Sequence, residues 1–117
     1  MKEIDYYRTR DGQLPAKEFI NSRKKHRQIE IVWKLRELES RLEFIDELSE
    51  LEKVGPFYVM TVQKDNLILF RDPTGVYLLM NGFNSKKKSF QKNLDSEIQK
   101  LSSECLSTSK QRMPTNE

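Results

Sequence analysis

Three short strand-forming runs at close intervals constrain this chain more than any other feature. Phe57–Val62, Asn66–Phe70 and Val76–Asn81 are rich in aromatic, β-branched and long aliphatic residues, which fit a pleated, half-buried surface. Gln63-Lys64-Asp65-Asn66 reads as a hairpin turn between the first two. Asp72-Pro73-Thr74-Gly75 separates the last two, with proline presetting φ and glycine free to take a positive φ. Connections this short cannot carry a strand back to run parallel, so the three runs are expected to be antiparallel neighbours.

The first half of the chain supplies an apolar layer for such a sheet. Ile4–Arg8 is a short strand candidate and Asp11-Gly12 marks a turn. Pro15 suits the first turn of a helix, where its missing N–H costs nothing. Ala16, Phe19 and Ile20 give this helix an apolar side. A longer helix is expected from about Arg23 to Leu42, with Ile31, Leu35, Leu38 and Leu42 in one stripe that Ile29, Val32 and Trp33 widen toward the sheet. Phe44–Val54 is less regular, with Leu48 and Leu51 placed for one more helical turn before Gly55-Pro56 stops it. A last helix starts near Ser89 and carries Phe90, Leu94, Ile98, Leu101 and Cys105 on one face. The order β-α-α-β-β-β-α predicts an α+β fold: a curved antiparallel sheet packed on a helical hairpin, with a C-terminal helix. The length fits one domain, expected over residues 1–104, and the polar composition of residues 105–117 predicts a disordered tail.

Charge is distributed unevenly. The net charge is only +3, but positive residues gather at Arg23-Lys24-Lys25-His26-Arg27 and at Lys86-Lys87-Lys88, while Glu30 to Glu52 is acidic. Such asymmetry implies two faces with different partners. A single cysteine excludes a disulfide framework, and with one histidine there is no histidine-rich metal site. No apolar run is long enough to cross a bilayer, and no signal peptide is evident, so the expected location is the cytoplasm and no membrane partner is expected. No cofactor is implied.

The segment most informative about function is Val76–Lys92, in which an apolar strand runs into Gly82-Phe83 and then directly into three lysines. A fixed cationic cluster at the end of a sheet strand suits a polyanion such as RNA. Lys86 and Lys88, with Lys64, are candidates for gripping an RNA backbone, and Tyr58 for stacking on a base. Arg71 is the candidate for stabilising charge on a phosphate, because its planar fork binds two oxygens. Lys87 and Asn81 complete the candidate catalytic set; Asn81 can hydrogen-bond a phosphate or base but cannot transfer a proton as an imidazole would. His26 lies in the basic link between the helices and is assigned a surface role.

Two pieces of the chain together resemble the RelE/ParE toxin superfamily, most closely its phage-derived HigB-like branch. Tyr6–Ile20 is similar to that branch's opening: a strand, an Asp-Gly turn and a helix ending in Glu-Phe and an aliphatic residue. Leu78-Leu79-Met80-Asn81-Gly82-Phe83, followed by lysines, is similar to its last strand and its aliphatic–His–Gly/Ala–Phe–x–Lys–Lys motif. The resemblance covers roughly residues 4–104. It implies a toxin of a type II toxin–antitoxin module, a metal-free, ribosome-dependent mRNA endoribonuclease partnered by a helix-turn-helix antitoxin. The chain departs from the pattern in three places. Phe57–Val62 has no basic residue, Asn66–Leu69 has no arginine, and Asn81 stands where the motif has histidine. Those departures imply an alternative: a catalytically degenerate protein of the same fold that binds or regulates an antitoxin or other protein.

Overall fold

The computed structural model describes residues 4–85 and 90–112 of the chain. The strands are β1 (Ile4–Tyr6), β2 (Glu52–Val54), β3 (Phe57–Val62), β4 (Asp65–Arg71) and β5 (Tyr77–Asn84). The helices are α1 (Pro15–Asn21), α2 (Lys25–Glu39) and α3 (Phe90–Arg112), with a 3₁₀ segment at Leu42–Glu47. The strands form one five-stranded sheet in the order β1-β5-β4-β3-β2.

The meander β3-β4-β5 is antiparallel throughout, as its short turns require. The sheet as a whole is mixed, because β1 pairs parallel with β5, Ile4 opposite Tyr77 and Tyr6 opposite Leu79. This corrects the expectation of a purely antiparallel sheet. Parallel pairing becomes possible because the whole helical layer and three strands intervene between β1 and β5. A further strand, β2, was absent from the expected order. Gly55-Pro56, read in the sequence as a helix stop, is the turn of a hairpin in which Val54 pairs with Phe57 and Gly55 takes a φ of 60°. β2 lacks apolar alternation because it is an edge strand, and its exposed Glu52 and Lys53 discourage pairing with another chain.

The turns follow their sequence chemistry. Gly12 adopts a φ of 83° in the Asp11-Gly12 turn, and Gly75 one of 91°. Asp72 closes the second turn through Oδ1, which accepts hydrogen bonds from the backbone N–H groups of Thr74 (2.9 Å) and Val76 (3.0 Å) and from the Thr74 hydroxyl (2.6 Å). The β3–β4 turn is tighter than the sequence suggested. Val62 already pairs with Asp65, leaving Gln63-Lys64 as the loop, and Gln63 takes a left-handed φ of 58° without being glycine. That strain is held by α2. Gln63 accepts a hydrogen bond from Arg27 at 3.1 Å and donates one to Glu30 at 3.0 Å.

One face of the sheet carries Tyr58, Met60, Val62, Leu67, Leu69, Tyr77 and Leu79, packed against Ala16 and Ile20 of α1 and Ile31, Leu35 and Leu38 of α2. Leu42 and Ile45 of the 3₁₀ segment complete this core. The stripe Ile31-Leu35-Leu38 is therefore the buried face of α2, as its spacing predicts. Ile29 and Trp33 are not part of it; they are 54% and 71% exposed. They fall on the opposite side of the helical wheel, so the stripe is narrower than expected.

The chain divides into two compact units, Met1–Asn84 and Ser85–Glu117. In the second, α3 begins at Phe90 and continues to Arg112, beyond the position at which composition alone placed a tail; residues 113–117 lie outside the described residues. No helix among the described residues is long and apolar enough to cross a membrane.

The close approach of α1 to β5 depends on one glycine. A Cβ added to Gly82 would stand 2.7 Å from Phe19 Cε2 and 2.9 Å from Cγ, inside van der Waals contact. Phe19 also carries the Arg23 guanidinium over its ring, 5.2 Å from the centroid. The Phe19 of the N-terminal piece and the Gly82 of the C-terminal piece are thus in contact. Gly82→Ala is expected to cost about 1–3 kcal/mol through overpacking, measured as a lower denaturation midpoint. Combining it with Phe19→Leu should cost less than the sum of the single changes, because the two alter one contact.

Candidate nucleic-acid interface

At the end of the sheet formed by the β3–β4 turn and the last residue of β5, polar and charged side chains converge on one carboxylate. Asp65 opens β4 and pairs with Asn84, which ends β5. The same alternation that turns Leu67 and Leu69 into the core turns Asp65 toward the helical layer. There it is fully buried, at 0% exposure. It accepts hydrogen bonds from Arg23 Nη1 (3.1 Å), Arg27 Nη1 (3.0 Å) and Asn84 Nδ2 (2.8 Å). Arg23 comes from the α1–α2 link and Arg27 from the first turn of α2, so one acid ties the helical hairpin to two strands. Burial pushes the Asp65 carboxyl up, but the bonds from Asn84, Arg23 and Arg27 outweigh it and hold the group below the usual aspartate range.

Asn66, also buried, secures the adjoining backbone. Its Oδ1 accepts from the Thr61 hydroxyl at 2.8 Å, and its Nδ2 reaches the carbonyl oxygens of Phe83 (3.3 Å) and Lys64 (3.4 Å). The turn and the end of β5 are thereby fixed relative to each other.

Beside this network lies an open cavity of about 380 Å³, lined by Ser22, Arg23, Lys24, His26, Arg27, Lys64, Asp65 and Asn84. Four of these are fixed cations and one is a carboxylate. Lys24, His26 and Lys64 are exposed. The cavity is thus cationic, and it contains the chain's single imidazole, a group able both to accept and to donate a proton.

The predicted site residues are divided by this geometry. Lys64 lines the cavity. Arg71 lies at the far end of β4, roughly 20 Å away at about 3.3 Å per strand residue, so the two cannot hold the same phosphate. Arg71 belongs instead to a second charged group. Its Nη1 is 3.8 Å from Asp46 Oδ2 and its guanidinium carbon 5.9 Å from the centre of the Tyr77 ring. Asp46 also accepts from Lys53 Nζ at 2.8 Å and from the Tyr58 hydroxyl at 2.7 Å. The contacts with Lys53 and Tyr58 hold the Asp46 carboxyl below its ordinary range, and the one with Asp46 raises Lys53. Tyr58 is 3% exposed. Its ring is core, which corrects its assignment as a stacking platform, and burial followed by the bond to Asp46 pushes its phenol up. Asn81 sits midway along β5 opposite Ile68, half-buried, where its Oδ1 accepts from the Gly82 N–H at 2.8 Å. Lys86, Lys87 and Lys88 lie outside the described residues.

Arg23, Arg27, Asp65, Asn84 and His26 were not assigned to a site from the sequence. The signal available was the run Arg23–Arg27 entering a helix without an acidic residue in its first turn. Asp65 looked like an ordinary turn residue, and only the two-residue length of the turn places it inside the sheet. No model of a known protein family matches the chain, and no curated protein sequence matches it.

Asp65→Asn would leave two guanidiniums facing a neutral amide in a buried setting. It is expected to cost about 3–5 kcal/mol in urea or thermal unfolding. Because the folded-state value of Asp65 is depressed, its contribution is present above the unfolded aspartate value of about 3.9 and is lost as pH falls through the lower folded value. The difference in stability between wild type and Asp65→Asn should therefore be constant near neutrality and shrink under acid, measured by urea denaturation across pH.

Proposed function

We propose that the chain is a toxin of a type II toxin–antitoxin module, a RelE/HigB-like endoribonuclease that cuts mRNA on the ribosome without a metal. The observation that carries this reading is the cationic cavity at the turn end of the sheet, with Arg23, Lys24, Arg27 and Lys64 gathered around one neutralised carboxylate. A preorganised cationic surface of this kind attracts a phosphate backbone. The sequence continues from Asn84 and Ser85 directly into Lys86–Lys88, which adds three cations to the same stretch of chain.

Metal-free RNA cleavage forms a bond between the 2′-oxygen and phosphorus and breaks the bond from phosphorus to the 5′-oxygen. A base must take the 2′-OH proton, cations must stabilise the charge that develops on the phosphoryl oxygens, and the leaving oxygen must be protonated. In this reading the cations of the cavity attract the RNA backbone and His26 is the group proposed to move protons; Lys86–Lys88 enter the reading from the sequence alone, as groups suited to gripping RNA. The α+β layout of a helical hairpin on an antiparallel meander is compatible with the resemblance that suggested the family.

One observation favours a second reading, a binding protein of the same fold that has lost catalysis. Arg71, the expected phosphate stabiliser, is engaged with Asp46 and stands at the opposite end of β4 from the cavity. Induced expression in a bacterium separates the two readings. The nuclease reading expects growth arrest and mRNA cleavage, both relieved by His26→Ala or by replacing Lys86–Lys88 with alanine. Undisturbed growth with intact mRNA, and co-purification of a helix-turn-helix partner, would establish the binding protein instead.

A further inference from the structure

We infer that the cavity between the α1–α2 link and the β3–β4 turn is a socket for a single phosphoryl group, held by Lys24, His26, Lys64 and the first turn of α2. The inference deepens the RNA reading by naming what the cavity grips. Charge is its first support. Arg23, Lys24, Arg27 and Lys64 bring four positive charges against the single negative charge of Asp65, which leaves three positive charges around a cavity at the small end of the ligand-binding range. Asp65 already accepts from Arg23, Arg27 and Asn84, and neither Lys24 nor Lys64 is among these partners.

The local backbone supplies an independent reason. Lys24 caps α2 in an extended conformation (φ −61°, ψ 152°) with no side-chain capping bond, and no acidic residue occupies the first turn. Positive side chains at Lys24, Lys25 and Arg27 crowd a helix end that is itself partially positive. An anion seated there would accept from the N–H groups of Lys25 and His26, those of Arg27 and Gln28 being bonded to the Lys24 carbonyl, and would relieve the repulsion. The Nε atoms of Arg23 and Arg27 are buried without a hydrogen bond among the described residues, although Arg27 Nε stands 4.0 Å from the Glu30 carboxylate. A phosphoryl group, with several oxygens on one centre, matches converging ammonium and N–H donors better than a planar carboxylate does.

The phosphate could belong to an RNA backbone or to a free chain end. Both are tested with the purified full chain by following amide NMR signals during titration with inorganic phosphate, then with short RNA oligonucleotides bearing either a 5′-phosphate or a 5′-hydroxyl. Saturable shifts at Lys24, His26 and Lys64 are expected with inorganic phosphate. The double variant Lys24→Ala/Lys64→Ala should keep the dispersed spectrum of a folded protein and weaken binding by about tenfold or more. Equal binding of the two oligonucleotides assigns the socket to a backbone phosphodiester, and tighter binding of the phosphorylated one assigns it to a terminal phosphate, provided that either depends on Lys24 and Lys64. Absence of saturable shifts at these residues, or unchanged affinity in the folded double variant, overturns the socket. mRNA cleavage without phosphate binding would reject the socket and leave the nuclease standing; phosphate binding without cleavage would do the reverse.

Discussion

The contact on which the rest of the first unit turns is the buried carboxylate of Asp65 with Arg23, Arg27 and Asn84. Apolar packing alone would let the helical hairpin slide on the sheet, since Ile31, Leu35 and Leu38 meet a surface of similar aliphatic side chains. A charged group with two guanidinium partners and one amide has far fewer acceptable positions. It fixes the link between α1 and α2 over the turn between β3 and β4. Arg23 also rests on the Phe19 ring, which in turn lies against Gly82. A continuous stack therefore runs from the backbone of β5, through an aromatic ring and a guanidinium, to the buried acid. Buried ion pairs contribute little net stability when compared with a well-packed apolar alternative, so specificity of arrangement is the role that best accounts for this one.

The same arrangement explains why the turn tolerates Gln63 in a left-handed conformation. Its side chain is engaged by Arg27 and Glu30, and Arg27 is itself oriented by Asp65. Strain in the backbone is offset by a network that needs the turn in that place. Lys64 follows directly, and its position at the rim of the cavity is a product of this local geometry. At the opposite end of the sheet, Asp46 gathers Lys53, Tyr58 and Arg71 in a partly exposed group. The two charged groups are separated by the length of β4, so the sheet of the first unit carries a distinct charged group at each end.

Much of the fold was legible in the residues. The meander, the turns at Gly12 and Gly75, Pro15 at the start of α1 and the Ile31-Leu35-Leu38 stripe all follow from local chemistry whose period and position are visible in a linear sequence. The parallel pairing of β1 with β5 was not legible, because it joins residues at opposite ends of the first unit and no local signal encodes it. β2 was missed because an exposed edge strand of Glu, Lys and Val has no alternating apolar pattern. Ile29 and Trp33 read as inward-facing by hydrophobicity, but they lie across the helical wheel from the Ile31-Leu35-Leu38 stripe and face outward. The candidate site shows the same division. Its cations could be read as a run, but the acid that organises them could not, since Asp65 acquires its meaning only from a turn one residue tighter at its end than the sequence suggested.

The pairing of β1 with β5 also has a bearing on how the protein matures as it leaves the ribosome. Tyr6 waits for Leu79 and Phe19 for Gly82, while Arg23 and Arg27 wait for Asp65 at the start of β4 and Asn84 comes last to the same carboxylate. Vectorial synthesis therefore delivers the helices long before the surface they rest on. Until the fifth strand has emerged, the nascent polypeptide holds its amphipathic helices without a sheet to cover them and its arginines without the finished cavity they will line. The cationic end is thus begun when Lys64 and Asp65 emerge and completed only by Asn84, the last residue of β5.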